Sequence, residues 1–202
     1  DTPTTDFYTV SQHDALPIYP IRPHADPLVW RELSWYGSHM AYKLEEEGKT
    51  GIMNGAQFPG WGHFGYHWIT NHHNIAGMLT ESASAKLASP LYIHPTQLTG
   101  SDGKTMPEYA PQTNFPNPWP GGWWRLRDIV EQMKISALAL LDAAARNKDT
   151  VLWNAYHKAK RQTERGSEGK PFAFVIPAEQ HDPQTADKLV QVLYRQGIEL
   201  QT

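Results

Sequence analysis

Between residues 95 and 122 the chain is so dense in proline, glycine and asparagine that neither a helix nor a long strand can cross it. Proline removes a backbone donor and fixes its own φ, while glycine costs conformational entropy in any regular element, so the stretch is an irregular connection. Connections of that length inside compact domains are commonly functional. Regular structure must therefore lie on either side of it. Upstream, Asp26-Pro27 offers a capping carboxylate followed by proline at the first helical position, and apolar residues recur at Val29, Leu33, Tyr36, Met40 and Leu44 before Gly48. This pattern predicts an amphipathic helix. Downstream, Leu126, Val130, Met133, Ala137, Leu141 and Ala144 form a stripe that predicts a helix over 125–147, about six turns long. Asp149 caps a further helix ending near Gly166.

Shorter elements follow from the same rules. Gly51-Ile52-Met53-Asn54 reads as a short strand, and residues 58–68 are too rich in glycine for a regular helix and read as a loop. Ile75-Ala-Gly-Met-Leu-Thr-Glu81 reads as a buried strand whose carboxylate emerges at its C-terminal end. After a Gly-Ser-Glu-Gly-Lys linker, Phe172 to Ile176 predicts a strand, Asp182-Pro183 opens a helix that Gly197 closes, and Ile198 to Leu200 predicts a second strand. Strand, helix and strand in that order make a βαβ unit over 166–202.

Composition narrows the function classes. The net charge of −3 and the scattered basic residues argue against nucleic acid. No apolar run reaches the roughly 20 residues that span a bilayer, which argues against a membrane. With no cysteine, thiolate metal sites, cysteine nucleophiles and disulfides are excluded, and any metal must use histidine or carboxylate. The first residues lack the basic and apolar regions of a signal peptide. Residues 1–18, DTPTTDFYTVSQHDALPI, resemble translated sequencing-adapter sequence. They are expected to be a processing scar or a polar arm rather than part of the fold.

Four of the ten histidines, His63, His67, His72 and His73, fall close together. His63 and His67 have the i, i+4 spacing that converges on a zinc ion from one helix face, but the glycines around them argue against a helix, and no His-x-x-Glu pair occurs in the chain. A metal site of His63, His67 and His72 therefore stands as the lesser reading beside ordinary polar roles. Glu81 is the more pointed feature. A carboxylate ending an apolar run serves either as a structural partner for a cation or amide, or as a catalytic base.

Several segments taken in order carry a resemblance. They are Asp26-Pro-Leu-Val-Trp-Arg-Glu-Leu, Gly37-Ser-His-Met-Ala-Tyr, Gly48-Lys-Thr-Gly and His73-Asn-Ile-Ala-Gly-Met-Leu-Thr-Glu81-Ser-Ala-Ser. Pro116-Asn-Pro-Trp-Pro-Gly-Gly-Trp-Trp-Arg-Leu-Arg-Asp128 and Phe174-Val-Ile-Pro-Ala-Glu-Gln180 continue it. Together they resemble the second half of bacterial zinc carboxypeptidases of the carboxypeptidase A type, over most of 20–202.

The resemblance implies an α/β fold, a partial mixed sheet flanked by helices over 19–165, followed by the βαβ segment. It implies a secreted or periplasmic metallocarboxypeptidase acting on peptide C-termini. Its zinc ligands, two histidines and a glutamate, would lie before Tyr19, so this chain would hold none of them and would be inactive alone. The Leu-Thr-Glu81 segment matches the strand that bears the family's general base, which assigns that role to Glu81. Tyr66, Trp61 and His73 are expected to line the substrate site. Eight tryptophans and nine tyrosines keep open a different class, a non-catalytic module that stacks aromatic rings on peptide or carbohydrate. Exposed, clustered tryptophans would favour that class.

Overall fold

The computed structural model describes residues 24–55, 66–85, 88–100, 106 and 108–201, together with the backbone of 11–13, and at 66–68 it likewise describes the backbone alone. Helix makes up 52 % and strand 9 % of the described residues, so helices rather than sheets carry their fold. The chain divides into two compact units, 1–162 and 163–202.

The first unit is organised around α1, Pro27–Glu46. Asp26 caps it by accepting from Leu28 N at 2.9 Å, and proline follows at the first helical position, as the sequence predicts. Glycine ends it for a conformational reason: Gly48 has φ +71°, which other residues adopt at a cost. Val29, Trp30, Leu33, Tyr36, Met40 and Leu44 are all buried, on one face. Against this face lies α3, Leu126–Arg146, with Ile135 packed on Leu44 and Ile52.

Here the structure departs from the sequence pattern. The residues of α3 that are buried are Gln132, Ser136, Ala139 and Ala143, a stripe of small and polar side chains. The larger apolar residues Leu126, Val130, Met133 and Leu141 are exposed, about a third of a turn away. Small residues let two helix backbones approach closely, whereas the bulkier stripe faces outward. Lys49, just beyond the C-terminal end of α1, pairs with Glu131 of α3 at 3.0 Å.

A single residue, Asn147, separates α3 from α4, Lys148–Glu168. Asp149 therefore lies in the first turn of α4 instead of capping it, and Gly166 lies inside the helix instead of ending it. Two ion pairs fasten α4 to the start of α1. Arg161 makes a bidentate contact with Asp26, 2.8 Å on each arm, and Lys158 pairs with Glu32 where both are buried.

Among the described residues, two small sheets complete the unit. The first has the order β2-β1-β3, from β1 (Ser11–His13), β2 (Met53–Asn54) and β3 (Leu79–Glu81), with β1 parallel to β2 and antiparallel to β3. Within the stretch set aside as a scar or arm, the backbone of Ser11–His13 is thus the middle strand. The second sheet pairs β4 (Leu91–Ile93) antiparallel to β5 (Gly122–Trp124). Gly121, just before β5, has φ +89°, and a Cβ there would stand 2.8 Å from Ile93 O. Glycine is required twice over at that position. The irregular connection between the two strands is held in place: Met106 and Phe115 pack on Met53, and Gly51 N and Asn54 N donate to Asn117 O and Asn114 O.

The second unit contains the end of α4 and α5, Pro183–Arg195, capped by Asp182, which accepts from Thr185 N at 3.0 Å. The helix is where the sequence predicts it, but the flanking strands are not formed. Phe172 to Val175 and Ile198 are exposed and in irregular backbone. An isolated strand has no ladder to satisfy its backbone, and among the described residues no strand runs beside either segment. The expected α/β architecture is present only in its coarse form, a helical protein with a few short strands.

Candidate functional site

Glu81 is the last residue of β3, in register with Ser11. The buried strand expected over 75–81 is shorter and more open than its sequence suggests: only Leu79–Glu81 pairs, Ile75 is exposed, and Glu81 itself is exposed. The apolar residues of the run are used differently. Ala76 and Met78 pack on the cluster of Ala25, Val29, Trp30 and Leu33 at the start of α1. Beyond the glutamate, Ala83 and Ala85 are buried against Trp124, whose indole Nε1 donates to Ala83 O at 2.9 Å. Glu81 thus stands between two anchored stretches, one held by α1 and one by β5. An exposed carboxylate on a segment fixed at both ends is positioned without being buried. Among the described residues it makes no hydrogen bond or ion pair, so the structural-partner role is not filled by any of them.

The segment leading to β3 is a sequence of turns. The short helix α2, Tyr66–His72, begins inside the stretch that its glycines mark as a loop. Its end is closed by two donors to Thr70 O, His73 N at 2.9 Å and Ile75 N at 3.0 Å. Asn74 sits at φ 61°, a region that asparagine tolerates better than most residues, and the buried Asn71 side chain accepts from Gly77 N at 3.2 Å. This turn delivers the exposed His73 to the surface just before the strand.

Tyr66 and His67 lie in the first turn of α2, whereas Trp61 and His63 fall outside the described residues. His67 and His72 are five positions apart on one helix, which separates them by about 140° around its axis. Among the described residues no group of three or more histidine, aspartate or glutamate side chains is arranged to hold a metal.

Sequence reasoning missed the Trp124 anchor. Its signal was present in the Gly-Gly-Trp-Trp run, whose alternation puts Trp124 inward and Trp123 outward across β5. The outward ring forms an edge-to-face pair with Tyr92 at 5.4 Å, and the Arg125 guanidinium lies 5.4 Å from the Trp123 ring. Both Tyr92 and Trp123 are exposed.

Comparison with protein-family models, with curated proteins and with solved structures finds no match for this chain. No described helix is long and apolar enough to cross a membrane.

Proposed function

We propose that the chain is the portion of a secreted or periplasmic metallocarboxypeptidase that supplies the general base, Glu81. The reading rests on the resemblance of its ordered motifs to that family. The observation that supports it best is an exposed carboxylate on a strand end, held on one side by Met78 against α1 and on the other by the Trp124 indole. The part of the reaction that belongs to this chain is proton traffic. The Glu81 carboxylate takes a proton from water as the water oxygen bonds to the scissile carbonyl carbon. It then delivers that proton to the leaving amine nitrogen as the carbon–nitrogen bond breaks. Tyr66, Trp61 and His73 are the proposed substrate contacts, and a zinc ion bound by an upstream segment is the proposed cofactor.

The test is metal content. After dialysis against trace zinc, the purified chain should hold no stoichiometric metal by mass spectrometry. One tightly bound zinc, lost on substitution of His63, His67, His72 and His73, would overturn the assignment of the ligands to another segment.

A second reading is favoured by the exposed Tyr92 and Trp123 pair with its adjacent Arg125. Rings so arranged suit a binding module that stacks on peptide or carbohydrate. Saturable quenching of tryptophan fluorescence by an oligosaccharide, abolished in Trp123→Ala but retained in Glu81→Gln, would favour this reading over the first.

A further inference from the structure

The extended backbone of β5 runs one residue past its ladder. Arg125 has φ −127° and ψ 156°, and α3 begins only at Leu126, so the Arg125 side chain leaves the strand on the same side as Trp123, two residues earlier. Tyr92 is the cross-strand partner of Trp123, which puts it on that side too. The three groups meet there: the rings pack edge to face with centroids 5.4 Å apart, and the guanidinium lies 5.4 Å from the Trp123 ring centre. Trp124 points the opposite way, its indole bonded to Ala83 O, so this platform is turned away from the segment that carries Glu81.

The platform is fixed from behind and open in front. Buried Trp124 anchors β5, and Asp128 pins the arginine backbone from both sides: its Oδ2 accepts from Arg125 N at 2.8 Å, and its N donates to Arg125 O at 3.0 Å. Tyr92 and Trp123 stay 57 % and 54 % exposed. The Arg125 guanidinium makes no ion pair or hydrogen bond with any described residue, the Asp128 carboxylate being engaged by the backbone amide. A cation held beside two open rings without a counter-charge suits an anionic ligand. His94, two residues past Tyr92, accepts from Thr96 N through Nδ1 at 3.3 Å, which leaves Nε2 to carry the ring proton as a further donor.

We propose that this platform binds a sugar bearing a carboxylate, a hexuronate unit of an acidic oligosaccharide; the inference rests on the second of the two readings above and names its ligand. The C–H face of the pyranose ring stacks on the Trp123 indole, with Tyr92 as the side wall. The carboxylate accepts two parallel N–H bonds from Arg125, whose planar fork matches it. Hydroxyls of the sugar meet the donors of Tyr92 and His94. An extended peptide suits the site less well, because main-chain bonds hold such a ligand at a sheet edge, whereas these groups stand on the sheet's face.

Calorimetric titration with an oligogalacturonate and with its methyl ester tests this directly, since the ester keeps the ring and removes the charge. The acid should bind roughly ten- to a hundredfold more tightly than the ester. Arg125→Met should bring the acid down to the affinity of the ester and leave the ester unchanged, and Arg125→Lys should restore part of the difference. Trp123→Ala should abolish binding of both, with far-UV circular dichroism unchanged in every variant. Equal affinity of the wild-type chain for acid and ester would overturn the inference and leave the stacking reading standing. Binding of neither ligand at millimolar concentration would overturn both. A peptide with a C-terminal aromatic residue and free carboxylate that binds where the sugars do not would overturn the inference and assign the platform to peptide.

Discussion

Replacing Lys158 by methionine removes a charge and little volume, and the structure makes its cost calculable. Lys158 and Glu32 are each 3 % exposed, and Glu32 Oε1 has no hydrogen-bond partner among the described residues. Lys158 is then the group that compensates the buried carboxylate through its other oxygen. Taking one partner from a buried pair leaves an uncompensated charge and costs about 3–5 kcal/mol. For a domain of this size that corresponds to a fall in Tm of roughly 6–20 °C, at about 2–4 °C per kcal/mol. The double substitution Glu32→Leu with Lys158→Met removes both charges, and such replacements range from neutral to about 1–4 kcal/mol stabilising. Urea unfolding followed by circular dichroism, with thermal scans, measures both variants. A single variant within about 1 kcal/mol of wild type, or a double variant as unstable as the single, would refute the argument that α4 is held to α1 by a charge pair that neither helix tolerates losing by halves.

Burial tends to raise the Asp26 pKa, but its hydrogen bond from Arg161, the Leu28 amide, and the charges of Arg161 and Lys158 outweigh it and leave the carboxyl below its ordinary value. A depressed carboxylate contributes stability above its unfolded pKa of about 3.9 and loses it as pH falls through the folded value. Asp26→Asn should therefore flatten the loss of stability below about pH 4, seen as urea midpoints that vary less with pH than those of wild type. Gly121→Ala combines a strained φ with a clash on Ile93 O, and should cost about 1–3 kcal/mol in urea unfolding; a neutral effect would mean that β4 and β5 are not paired as described. Trp124→Phe keeps most of the packing but strands Ala83 O, and should cost about 1–3 kcal/mol in the same assay.

The helices were legible in the sequence because their signals are local. Asp26-Pro27 and Asp182-Pro183 state where chains turn into helix, and Gly48 and Gly197, both at positive φ, state where they stop. The faces of those helices were less legible. In α3 the pattern marks the large apolar stripe, yet α1 takes the neighbouring stripe of Gln132, Ser136, Ala139 and Ala143, because close approach selects for small side chains and periodicity records only hydrophobicity. The strands at 172–176 and 198–200 failed for a related reason: propensity describes a segment, but a strand exists only beside another. At the candidate site, the sequence indicated Glu81 at a strand end. It did not indicate that Met78 and Ala83 hold the segment from opposite sides, since those contacts join residues 41 or more positions apart, as in the bond from Trp124 to Ala83.

The proposed general-base role meets its most direct test in a protein that carries this chain together with the proposed zinc-binding segment. Release of a C-terminal amino acid from a reporter peptide should fall about 10²- to 10⁴-fold in Glu81→Gln, with zinc content and unfolding midpoint unchanged, because the substitution removes a proton acceptor from an exposed, anchored position. Turnover retained in that variant would contradict the account, and Glu81 would then be a surface carboxylate.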